Sequence, residues 1–181
     1  KRFPDLKTGT IQNIKNKTGD QNYNGIMGGA DSFTIIGTSG IGKSSTISRA
    51  LNLIRANYMI EIEKPYTRIL PCLIVQCPFD SSVKGLLVEI LRKVDEQLGT
   101  SYFKSATIGN RTTTDMLIGS VSQICLNHIG LLVVDEIQNV VNSRNGKNLI
   151  GSLTQIINNS GISICMVGTP ESERFFEQAM Q

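Results

Sequence analysis

The sequence predicts an α/β domain in which a parallel sheet is sandwiched between helices. Strand-like apolar runs recur at intervals of about 30 to 60 residues with helical patterns between them. Three of the four runs are nearly all apolar, as strands buried on both faces of a parallel sheet must be.

Residues 1–30 hold five glycines and four asparagines among scattered apolar residues, a polar lead-in of turns rather than packed elements. From residue 31 the character changes. Ser32 to Ile36 reads as a short strand ending at Gly37, followed by a glycine-rich turn and a helix from Ser44 to about Arg55. Residues 56–68 read as a polar connection, and Ile69 to Gln76 as a second strand with Pro71 near its start, where a missing donor is tolerable. Val83, Leu86, Leu87, Ile90, Leu91, Val94 and Leu98 share one helical face, with Asp80 or Ser81 to cap the start and Gly99 to close the end.

A polar loop follows. Thr112 with Asp115 resembles a capping box ahead of a helix reaching about His128. Leu131 to Val134 is a fully apolar strand, Lys147 to Asn158 a helix closed by Gly161, and Ile162 to Val167 the fourth strand. No internal repeat is visible.

At 181 residues and 19.8 kDa the chain is one domain of ordinary globular composition, with 40% hydrophobic and 18% charged residues. That balance excludes a disordered chain, and no apolar run approaches the roughly 20 residues that span a bilayer. The net charge of +3 is too small to announce nucleic-acid binding by composition. All the surplus lies in residues 1–90, with eleven Lys/Arg against seven Asp/Glu. Lys1, Arg2, Lys7, Lys15 and Lys17 supply much of it, as a solvated lead-in or as an arm for phosphates. Cys72, Cys77, Cys125 and Cys165 form no C-x-x-C pair and His128 is the single histidine, so a zinc site has little to be built from. Free thiols and the lack of a signal-peptide pattern point to a reducing, cytoplasmic setting. The chain starts with Lys and stops within a helical pattern, so it reads as part of a longer protein.

The chemistry sits in two motifs. Gly37-Thr38-Ser39-Gly40-Ile41-Gly42-Lys43-Ser44 fits the phosphate-loop pattern G-x-x-x-x-G-K-[ST] in full, with Ser45 continuing into the helix. Glycines let successive N–H groups converge on an anion, and the helix start aims its positive dipole end there. Lys43 then reaches the β and γ phosphates of ATP and Ser44 offers a hydroxyl to Mg²⁺. Asp135 and Glu136 close the third apolar strand, where ligands bind in parallel sheets. Asp135 is the candidate metal ligand, and Glu136 the candidate for orienting or deprotonating the attacking water.

One strand between the phosphate loop and the acids, with a Glu directly after the Asp, marks the additional-strand branch of P-loop ATPases. In the AAA+ group of that branch a polar residue at the tip of the fourth strand lies between the γ-phosphate and the acidic strand. Thr169 is the candidate, and the same hydroxyl also suits the cap of a helix starting near Pro170.

The phosphate loop, Leu131-Leu-Val-Val-Asp-Glu-Ile-Gln138 and Met166-Val-Gly-Thr-Pro170 together resemble the TnsC/TniB family of AAA+ ATPases, regulators that select target DNA and license a transposase. The likeness covers residues 30–181. It implies that Lys43, Ser44, Asp135, Glu136 and Thr169 take the roles above, with Gln138 at the site's edge. It also implies a homo-oligomeric ring or filament, DNA, and transposase and target-selector partners. Members of that family continue into a fifth strand, a helical lid and trans-acting arginines, so 31–181 reads as a core incomplete at its C-terminal end. Arg144 and Arg174 are the candidates for such arginines, or ordinary surface residues. Lys84, Lys104 and Arg111 fall in the stretch that faces the channel in ring-forming relatives, as DNA contacts or as a solvated face. Adenine recognition falls to residues 24–30. Two further functions fit the same motifs: a nucleotide-driven signalling or scaffold switch without DNA, and a helicase-loader ATPase.

Overall fold

The computed structural model describes residues 32–55, 60–63, 66–108, 112–141 and 143–173, without the side chains of residues 54, 55, 60–63, 66 and 67. The lead-in, residues 24–30, Arg111 and Arg174 therefore lie outside the described residues. The sheet strands are β1 (Phe33–Ile36), β4 (Leu73–Gln76), β5 (Leu131–Asp135) and β6 (Ser163–Gly168), all parallel and in the order β1-β6-β5-β4. The last strand in sequence thus inserts between the first and the acidic one. Between β1 and β4, strands β2 (Ile60–Glu63) and β3 (Tyr66–Ile69) form a separate antiparallel hairpin.

Helices cover both faces, as the apolar runs require. On one side α1 (Lys43–Arg55) sets Leu51 and Ile47 against Val133, Cys165 and Val167. On the other, α2 (Val83–Leu98), α4 (Thr114–His128) and α5 (Gly146–Ser160) pack on Leu73, Val75, Leu132, Val134 and Ile164. Residues of alternating parity along β5 and β6 go to opposite faces, so each strand is buried twice. The predicted helical face of α2 is the observed one: Leu86, Leu87, Ile90, Leu91, Val94 and Leu98 are all buried. Gly99 and Gly161 close α2 and α5 in the left-handed region, at φ 68° and 63°.

Several expectations need correction. The polar connection 56–68 contains the hairpin; Ile60 to Glu63 alternates apolar and acidic residues, a strand pattern that its charge disguises. The strand expected from Ile69 begins at Leu73. Pro71 interrupts it, although Leu70 still bridges to Ile129. Ser82 caps α2 in place of Asp80 or Ser81, its hydroxyl accepting from Gly85 N at 3.1 Å while Asp80 Oδ1 accepts from Ser82 N at 3.0 Å. Ser81 takes φ 51° and is buried, its hydroxyl donating to Asn139 O at 3.0 Å. Thr113 caps α4 in place of Thr112, accepting from Met116 N at 3.2 Å.

The expected loop after α2 contains α3 (Tyr102–Ala106), tied down by the Asp95 carboxylate, which accepts from Tyr102 N at 2.7 Å and Phe103 N at 2.9 Å. All four cysteines are buried and none forms a disulfide. Among the described residues no helix is long and apolar enough to cross a membrane.

Candidate nucleotide-binding site

The sheet order decides what meets at its carboxyl edge. Ile36 pairs with Gly168, Met166 with Val134, and Asp135 with Gln76, so the glycine loop, Thr169 and the acidic pair leave neighbouring strands on one rim. Gly37 N donates to Gly168 O at 3.2 Å, which pins the loop's first residue to the end of β6.

Within the loop, Gly40 and Gly42 adopt φ 78° and 88°, a region that costs other L-residues about 1–2 kcal/mol. A Cβ at either would meet nothing within 4 Å, so backbone conformation alone requires glycine there. Thr38, Ser39, Gly40 and Ile41 are exposed, as are Ser44 and Ser45 at the start of α1. Thr46 N donates to Gly42 O at 2.8 Å and closes the first helical turn, leaving the N–H groups ahead of it free of intrahelical partners. Lys43 Nζ arches back over the loop and donates to Gly37 O at 2.5 Å and Thr38 O at 2.9 Å. The lysine therefore folds back onto the first two residues of the loop.

Asp135 is only 8% exposed, and among the described residues its carboxylate accepts one hydrogen bond, from Glu136 N to Oδ1 at 2.8 Å. Its charge also reaches across the sheet. Together with burial, the larger cause, it pushes the Cys165 thiol up to about 11. Glu136 is exposed and takes the left-handed region at φ 57°, ψ 35°, a strain of about 1–3 kcal/mol for a residue with a Cβ. The chain then makes a 3₁₀ turn (Ile137–Val140) anchored by buried Ile137 and Val140. Gln138 Nε2 donates to Glu136 Oε2. Asn139 Nδ2 donates to Cys77 O at 2.9 Å, tying this turn to the loop after β4.

Thr169 directly follows β6 and precedes a helix that begins at Pro170. Its carbonyl accepts from Ser172 N at 3.0 Å. The Thr169 side chain, Glu171's own backbone N–H and the charge of Lys43 hold the Glu171 carboxylate below the usual carboxylate range. Glu171 and buried Ser172 are neighbours of the site that the sequence reading missed. Acidic and hydroxyl residues just after Thr-Pro are the ordinary signature of a helix start, and that was the available signal.

Asp135 and Ser44 suit Mg²⁺, which takes one or two carboxylates and completes its shell with phosphate oxygens and water. Among the described residues no group of three or more His, Cys, Asp or Glu comes together as a metal cage. Of the DNA-facing candidates, Lys84 lies in the first turn of α2 and Lys104 in α3. Arg144 is exposed in the turn before α5.

Comparison with solved structures finds a similar fold in the Orc1 protein of Aeropyrum pernix, determined in complex with DNA, with a TM-score of 0.53 at 15% identity. The match covers 91% of this chain and 37% of that one, so the chain spans little more than a third of its structural relative. No curated protein matches the sequence. A family model described as an AAA domain matches residues 26–176. The sheet order, the phosphate loop and this match agree: the chain belongs to the AAA domain family and has the fold of an AAA+ P-loop ATPase.

Proposed function

We propose that the chain is the ATPase core of a regulator of DNA transposition, which assembles on target DNA with ATP bound and leaves it after hydrolysis. The observation that supports the nucleotide chemistry is the insertion of β6 between β1 and β5, so that the strand preceding Thr169 lies between the strands that end at the phosphate loop and at Asp135.

The roles follow from that placement. Loop N–H groups and Lys43 hold the β and γ phosphates. Ser44 and Asp135 hold Mg²⁺, which when bound neutralises charge on the phosphate oxygens. Glu136 orients the attacking water and takes its proton, while Thr169 contacts the γ-phosphate. Phosphoryl transfer also needs positive charge at the transition state, and an arginine supplied in trans is worth about 10³–10⁵ in rate. We assign that charge to a second copy of the protein, so residues 1–181 alone bind ATP and turn it over slowly.

Support for DNA as a partner is the likeness of the Asp135-Glu-Ile-Gln138 and Val167-Gly-Thr-Pro170 motifs to the TnsC/TniB family, and a structural relative solved with DNA. The test uses the full-length protein. Glu136→Gln keeps the hydrogen-bonding shape but loses the base, so it binds ATP without hydrolysing it, and its DNA complexes outlive those of the wild type. Their affinity falls with salt in proportion to the phosphates contacted. Duplex binding that is absent, or indifferent to ATP, rejects transposition in favour of a DNA-free switch.

A further inference from the structure

We infer that Gln138 is a positioning residue that aims the Glu136 carboxylate, an inference that rests on Glu136 being the water-orienting group. Glu136 is exposed and left-handed at φ 57°. The described contact that restrains its carboxylate is the hydrogen bond from Gln138 Nε2 to Oε2. Gln138 itself is well anchored, because Ile137 and Val140 on the same turn are both fully buried.

The far end of the Gln138 amide shows what this pairing displaces. Oε1 is sealed from solvent and has no hydrogen-bond partner among the described residues. It lies 3.2 Å from where a Gly168 Cβ would stand, so the missing side chain at Gly168 makes the room it occupies. A buried carbonyl without a donor is destabilising. Flipping the amide would be worse, since Oε1 would then face a carboxylate oxygen. An apolar side chain of the same length would avoid both costs, so glutamine does here what packing does not ask for. What it gains is one charge-assisted bond to Glu136. The same amide abuts Gly168, whose carbonyl holds Gly37 N, so the direction of Glu136 is referenced to the start of the phosphate loop.

The experiment measures kcat and KM for ATP hydrolysis, Kd for ATP and thermal stability of the full-length protein. The variants are Glu136→Gln, Gln138→Met and Gln138→Asn, which keeps the amide but retracts it by a methylene. Both Gln138 variants are expected to lower kcat by about 10- to 100-fold. KM and Kd stay within about twofold, and the melting temperature of Gln138→Met is unchanged or raised. In a Glu136→Asp background, whose carboxylate no longer reaches the amide, adding Gln138→Met changes kcat by less than about twofold. Wild-type kcat in Gln138→Met, an equal loss of ATP affinity, or an undiminished effect in the Glu136→Asp background overturns the inference alone. Wild-type turnover by Glu136→Gln instead removes the reading of Glu136 on which it rests.

Discussion

Gly168→Ala tests whether the rim of the sheet is packed as described. A Cβ at Gly168 would lie 2.6 Å from Ser172 Oγ, 2.7 Å from Ile137 Cγ2 and 3.2 Å from Gln138 Oε1. Ile137 is fully buried and cannot withdraw, and Ser172 can rotate away only by giving up its 2.5 Å bond to Thr169 O. Overpacking of this kind costs about 1–3 kcal/mol and the lost hydrogen bond about 1 more. For a domain of this size each kcal/mol moves the melting temperature by about 2–4 °C, so the variant should melt about 5–15 °C below the wild type. Circular dichroism reads the shift. Gly151→Ala is the control, because it lies within α5 with nothing within 4 Å of its Cβ and should gain stability from helix propensity, by about 0.5–1 kcal/mol. A Gly168→Ala melting temperature within about 1 °C of wild type would refute the packing on which the site's geometry depends.

Leu91 is fully buried in α2 against the sheet, so Leu91→Ala should cost about 2–5 kcal/mol in urea unfolding; less than 1 kcal/mol would place α2 wrongly. Burial lifts the thiols of Cys77 and Cys165 from 9.0 to about 11 and that of Cys125 to about 12. Above pH 9 the unfolded chain releases protons that the native thiols keep, so stability falls by about 1.4 kcal/mol per pH unit for each thiol as pH rises towards 11. Unfolding at pH 8 and pH 10 checks this, and a Cys125→Ser variant with an unchanged slope would contradict it.

The four sheet strands, α1, α2 and the phosphate loop were legible because each is local: an apolar run, a helical period, a fixed glycine spacing. Asp135 and Glu136 were legible for the same reason, as acids at the end of such a run. Caps were missed by one residue where Asp80, Ser81 and Ser82, or Thr112 and Thr113, compete, because backbone dihedrals choose among equally able side chains. The hairpin was hidden by Glu61, Glu63 and Arg68, whose charges read as a loop while their alternation is that of strands. The packing of Gln138 against Gly168 joins residues thirty apart through the insertion of β6, and no pattern within either segment announces it.

A nucleotide site built by the phosphate loop at the carboxyl edge of the sheet is tested most directly by calorimetric titration of ATP with Mg²⁺. The wild-type chain should bind one ATP, while Lys43→Ala, which removes the ammonium arched over the loop, should bind at least about tenfold more weakly with an unchanged melting temperature. Equal ATP affinity in the two proteins would contradict it.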